Sequence, residues 1–158
     1  MRVTLTAFNS ASPAEAEAAM LACCASRTLA ARVAAGRPYA SADALGAAIE
    51  SAFATLTWDD VLEGMSGHPR IGDRVTGTSA AEQSGVTDSS RAALIAANQE
   101  YEARFGYVFL ICASGLSGAQ MLAALRERLN NPPPTERPVA THELLKITLL
   151  RARKLADS

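Results

Sequence analysis

Helix-start signals recur along this chain with a regularity that limits what it can fold into. Ser12-Pro13-Ala14-Glu15 sets a hydroxyl cap, a proline where the helix has no use for an N–H, and a glutamate at the capping-box position. Ser41 and Thr57 stand ahead of further apolar-periodic runs, and Ser117 with Gln120 repeats the box spacing. Alanine is abundant and aromatics make up 5% of the chain, which favours helix wherever apolar residues return every third or fourth position.

These signals predict helices from Pro13 to about Ser26, Thr28 to Gly36, Ala42 to Leu56 and Trp58 to Met65. A short helix from Thr78 or Ser79 through Gln83 follows, then a long one from Asp88 to Phe105 stopped by Gly106, one from Ser117 to Leu129, and a last from about Thr135 to Leu155. Leu45, Ile49, Phe53 and Leu56 share one face, as do Leu94, Ala97, Tyr101 and Phe105. The last helix carries Leu144, Ile147 and Leu150 with Arg151 beside them, a placement that asks for an anion or a wet cleft.

Tyr107 to Cys112 is a continuous apolar run that periodicity alone would allow as a buried strand. No second strand is legible, and a lone strand cannot satisfy its own backbone. The run is therefore expected to be a buried extended connector, hydrogen-bonded to neighbouring groups. The expected fold is all-α: one domain over residues 1–158, made of seven to eight short helices.

Lys plus Arg (15) nearly balance Asp plus Glu (16) without like-charge blocks, so there is no footprint for nucleic acid or anionic lipid. No run reaches the roughly 18 apolar residues of a membrane span, and the first residues lack a signal-peptide core, which points to the cytoplasm. Three cysteines, two of them adjacent, and two distant histidines assemble neither a disulfide framework nor a metal cage. A small-molecule partner and no metal are the expectations.

Three places could carry chemistry. Gly67-His68-Pro69-Arg70-Ile71-Gly72-Asp73 is an irregular loop in which glycine at both ends permits unusual angles and Pro69 pushes His68 out of the helical region. A loop histidine is more often simply solvated, but it titrates near neutrality. Arg70 and Asp73 could pair across the loop. Glu82 falls three residues after Ser79 and so reads equally as a capping residue; Gln83 has no such explanation. Arg104, near a helix C-terminus, reads first as a partner for the dipole, and His142 as structural or surface.

Taken in order, G-H-P-R-I-G-D, S-A-A-E-Q-S-G, N-Q-E-Y-E-A-R-F-G-Y-V-F-L-I-C and L-L-K-I-T-L-L-R resemble one family across nearly the whole chain, the 2-oxo-4-hydroxy-4-carboxy-5-ureidoimidazoline (OHCU) decarboxylases. The resemblance implies an all-helical homodimer acting in urate breakdown to S-allantoin, without a cofactor. It also implies that His68, Glu82 and Arg151 are catalytic. Pro69, Ser79, Gln83 and the segment Phe109, Leu110, Ile111, Cys112 and Ala113 would then bind substrate. Many relatives carry an Asp-Leu type sequence where this chain has Arg70-Ile71-Gly72-Asp73, which leaves the role of Arg70 open. The competing expectations are a ureide or cyclic-amide hydrolase and a non-catalytic helical ligand-binding module.

Overall fold

The computed structural model describes residues 4–71 and 82–157. Among them are eight helices and no strand. They are α1 Leu5–Ser10, α2 Pro13–Cys23, α3 Arg27–Ala35, α4 Ala42–Phe53, α5 Trp58–Met65, α6 Asp88–Phe105, α7 Gly118–Arg128 and α8 Pro133–Asp157. The chain is all-helical, as its capping pattern anticipates. It divides into two compact units, one running to Gly67 and resuming at Leu144, the other from His68 to Glu143.

The caps form where the sequence predicts them, but the box expected at Ser12 does not close: the Glu15 carboxylate accepts from the Ser12 hydroxyl at 3.0 Å and not from its backbone N–H. Ser12, Ser41, Thr57 and Ser117 each accept the backbone N–H three residues on, and Thr57–Asp60 and Ser117–Gln120 close complete boxes. At the other end of α6, Gly106 adopts φ 84°, the left-handed conformation that ends a helix and that a side chain resists. Gly36 also stops its helix, but at φ −81°. What it supplies is room: a Cβ there would lie 2.5 Å from the Tyr39 hydroxyl, which donates to the Val33 carbonyl at 2.6 Å.

In the first unit α3 packs against α2, α4 and α5, and α1 against α2. Phe8, Met20, Leu29, Val33, Leu45 and Ile49 form a core that is almost completely sealed from solvent. Helix α1 is not anticipated from sequence, being six residues long with Phe8 as its buried residue. Long-range polar contacts hold it. Asn9 pairs through both amide atoms with the backbone of Tyr39, at 2.9 Å each, and Arg37 donates to the Phe8 and Ala11 carbonyls. On the last helix, Leu144, Ile147, Thr148 and Ala152 are the buried line, whereas Leu150 is 37% exposed. The apolar stripe read from Leu144 through Leu150 therefore turns one residue off the expected course.

The second unit is built on α6 and α7, which pack together around Leu94, Ala97, Tyr101, Phe109, Ala113, Met121 and Leu125, with Ile71 from the preceding loop in the same cluster. The run after Gly106 has no regular secondary structure and forms no ladder among the described residues. Phe109, Leu110 and Ala113 are buried, Ile111 and Cys112 half-buried. This is the hydrogen-bonded connector that the lone apolar run suggests.

Candidate active site

His68 follows the C-terminal turn of α5 and is half-buried, as is Pro69. Gly67 does not take a positive φ; instead, a Cβ there would come within 3.0 Å of the Ala25 Cβ, so its contribution is close approach and not an unusual angle. Two anchors follow His68 at once. Arg70 reaches the α6 carboxylate of Glu102, its Nε 3.0 and 3.2 Å from the two oxygens. Ile71 is 4% exposed and inserts into the α6–α7 core. Gly72, Asp73 and Ser79 lie outside the described residues, so the expected Arg70–Asp73 pair and the Ser79–Glu82 box do too. Glu82 and Gln83 are both half-buried, and the Gln83 carbonyl accepts from Val86 in a turn at 3.0 Å.

The connector is held by side chains from three helices. Asn98 Oδ1 on α6 accepts the Phe109 N–H at 3.0 Å. Arg128 Nη1 on α7 donates to the Leu110 carbonyl at 2.7 Å, and Glu143 Oε1 on α8 accepts the Cys112 N–H at 3.0 Å. All three residues are buried. In place of a partner strand, the segment has one polar side chain for each of these backbone groups, which meets the demand that buried amides be paired.

Arg128 is itself fixed. Its Nε and Nη2 donate to Glu136 Oε2 at 2.9 and 2.6 Å, and its guanidinium lies over the Phe109 ring, 4.5 Å from the centroid. Glu136 also accepts from the Tyr101 hydroxyl, and its other oxygen accepts from Asn131 Nδ2 at 3.0 Å. Burial, reinforced by this bond to a carboxylate, pushes the Tyr101 phenol far above its ordinary range. A buried ion pair with this many partners is the arrangement that offsets the desolvation of both charges.

The structure thus places His68, Pro69, Glu82, Gln83 and Phe109 to Ala113 in the second unit, and Arg151 on the part of α8 belonging to the first. Arg151 is half-buried near two thiols. Its charge opposes the burial that lifts Cys23 to about 11 and raises Cys24 as well. Arg104, read as a helix-end cation, donates to the Asn131 carbonyl at 2.7 Å and covers the Phe105 ring. Among the described residues no three of His, Cys, Asp and Glu form a set able to hold a metal ion, and no helix is long and apolar enough to cross a membrane.

Asn98, Glu102, Arg128, Glu136 and Glu143 were not singled out from sequence. Their spacing carries a signal nonetheless. Arg128 continues the apolar line Met121, Leu125, and Glu136 and Glu143 fall on the line of Ala140, Leu144 and Ile147. A charge at the period of a buried stripe is the mark of a buried polar network.

Comparison with known proteins bears on all of these residues. A sequence model of the family described as OHCU decarboxylase matches residues 9–153. The chain is 34% identical over 142 residues to the 2-oxo-4-hydroxy-4-carboxy-5-ureidoimidazoline decarboxylase of Amia calva, covering 80% of this chain and 79% of that protein. It is 35% identical over 145 residues to the uric acid degradation bifunctional protein TTL of Arabidopsis thaliana; the match takes in 84% of this chain but spans 45% of that longer relative. Its fold superposes, with a TM-score of 0.79 and 33% identity, on a crystal structure of OHCU decarboxylase in the presence of (S)-allantoin, covering 87% of this chain and 96% of the other. With the match running from α1 through α8, the chain belongs to the OHCU decarboxylase family.

Proposed function

We propose that this chain is a carboxy-lyase that converts 2-oxo-4-hydroxy-4-carboxy-5-ureidoimidazoline to S-allantoin in urate degradation. The observation that carries this reading is the extent of the family match, residues 9–153, which takes in every residue assigned a role below.

The chemistry is undemanding in electrons and demanding in geometry. The bond from the ring carbon to its carboxylate breaks and CO2 leaves. The electron pair moves into the ring and onto the nitrogen of the neighbouring C=N. That nitrogen takes up the proton given up by the ring hydroxyl as it becomes the carbonyl of allantoin, and one proton from the acid goes to the ureido-bearing carbon and creates the stereocentre. The substrate is its own electron sink, so the protein's work is to orient, to stabilise charge and to protonate one face.

In this reading His68 delivers the proton, since an imidazole titrates close enough to neutrality to serve as a general acid. Its placement ahead of two anchors, Arg70 to Glu102 and Ile71 in the core, suits a group that must approach from one direction. Glu82 holds the ring hydroxyl and sets the carboxylate for departure. Pro69, Ser79 and Gln83 contact the substrate, and the polar backbone of Phe109, Leu110, Ile111, Cys112 and Ala113 fixes the ureido and ring atoms. Arg151 binds an anionic or carbonyl oxygen. The same reading has the chain act as one domain in a cytoplasmic homodimer.

The test generates the short-lived substrate in place from urate with the two preceding activities and follows the circular dichroism of allantoin. The expected result is a fast rise of one enantiomer with the wild-type chain and slow, racemic product with folded His68→Ala. Racemic decay at the uncatalysed rate with the wild type would overturn the reading. Optically pure product at the normal rate from His68→Ala would remove His68 from the proton transfer.

A further inference from the structure

Three polar residues lie in line between the loop of His68 and the backbone of Phe109, all within the second unit. Arg70 Nε meets both oxygens of Glu102 at 3.0 and 3.2 Å. Glu102 Oε2 accepts from Asn98 Nδ2 at 2.7 Å, and Asn98 Oδ1 accepts the Phe109 N–H at 3.0 Å.

Each link fixes the next. An ionised carboxylate only accepts, so Glu102 commits the NH2 side of the Asn98 amide to itself and turns the carbonyl side toward Phe109. Asn98 is 1% exposed, and a flip would set its NH2 against the Phe109 N–H, leaving two buried donors facing each other. Residues 98 and 102 are one helical turn apart, so α6 sets their separation. Arg70, more than half exposed, then draws the loop two residues beyond His68 onto that same carboxylate.

From this geometry we infer that Arg70 is a positioning residue. Through Glu102 and Asn98 it ties the loop that carries the proton donor to the backbone segment that binds the substrate, so that the two are set by one hydrogen-bonded line. The functional half of this inference rests on the roles proposed for His68 and Phe109. It also gives Arg70 a part in the site that requires no contact with the substrate.

The experiment compares Arg70→Gln, Arg70→Lys, Glu102→Ala and the Arg70→Gln/Glu102→Ala double variant in the full chain. Hydrogen exchange of the Phe109 amide in D2O is followed by NMR, and turnover is measured in the coupled assay above. Arg70→Gln is expected to speed Phe109 exchange and to lower kcat by roughly tenfold or more with KM changed by less than about threefold, the pattern of misplaced groups and not of lost substrate binding. Arg70→Lys restores part of both. If Arg70 acts through Glu102, the double variant is no slower than Glu102→Ala alone.

Phe109 exchange unchanged in Arg70→Gln and Glu102→Ala would overturn the coupling, whatever the activity. So would multiplicative losses in the double variant, which would mean that Arg70 acts on its own, or a melting temperature that falls while kcat stays at the wild-type value. A wild-type chain without turnover would instead remove the proposed reaction, and the amide exchange would still decide whether the line exists.

Discussion

Arg128 Nη2 lies 2.6 Å from Glu136 Oε2 at a point where the arginine side chain is 9% exposed and the glutamate carboxylate fully buried. Arg128 also supplies the donor for the Leu110 carbonyl, and Glu136 the acceptor for Tyr101 and Asn131, so neither charge is held by its partner alone.

Removing one member should therefore do more damage than removing both. Arg128→Met is expected to destabilise the fold by about 3–5 kcal/mol, because the Glu136 charge stays buried and the Leu110 carbonyl loses its donor. Adding Glu136→Gln in that background should return about 1 kcal/mol or more by removing the unpaired charge. Urea unfolding of the two variants checks the sign. If the second change deepened the loss additively, the pair would not be acting as a unit.

Gly106 and Gly36 separate conformation from space. A Cβ at Gly106 meets no atom within 4 Å, so Gly106→Ala tests the left-handed backbone alone and should destabilise by about 1 kcal/mol, with Gly106→Asn milder. At Gly36 the backbone is ordinary but the Tyr39 hydroxyl occupies the place of the new methyl. There Gly36→Ala should be relieved by Tyr39→Phe, whereas Gly106→Ala should not. Thermal melts of the four single variants and the Gly36→Ala/Tyr39→Phe pair distinguish the two causes.

The first unit carries an acid-sensitive set. The backbone N–H of Thr57, then the Thr28 hydroxyl, hold the Asp60 carboxyl below its ordinary range; the backbone N–H of Arg27, then its guanidinium, do the same for Glu63. Folded values below the unfolded ones mean that the unfolded chain binds more protons in this window. The contribution is present above about pH 4.5 and is lost as pH falls through the folded values. Denaturant midpoints should decline from pH 6 to about pH 3, and Asp60→Asn with Glu63→Gln should flatten that decline. An equally steep acid limb in the double variant would assign it to other carboxylates.

Burial lifts the Cys23 thiol to about 11 and raises Cys24, so neither offers much thiolate near neutrality. Iodoacetamide at pH 8 should leave both unmodified in the folded chain and label both in urea, as peptide mass mapping will show. Rapid native labelling of either would mean that the region opens readily.

The parts legible in the sequence were those written in local code. Thr57 to Met65 and Asp88 to Gly106 carry their start and stop within a few residues, and the structure places both helices at the expected ends. Helix α1 was not legible because its support comes from Asn9, Tyr39 and Arg37, residues about thirty apart. The candidate site divides in the same way. His68, Glu82 and Gln83 stand in distinctive motifs, whereas Asn98, Arg128 and Glu143 act on the backbone of residues 11 to 31 positions away. Only their charge or amide at a buried helical period hints at them, and a period does not say which backbone group is met.

A sheet strand inherits the positions of all its amides from one neighbour, so that altering any of them means altering the ladder. Phe109, Leu110 and Cys112 answer instead to three separate helices through three separate side chains. Each of these three backbone groups can thus lose its partner through a single distant replacement, with its own side chain untouched. A change in that backbone can accordingly originate at Asn98 or Glu143, neither of which lies in the segment, whereas at Arg128 it comes with the loss of the buried pair with Glu136.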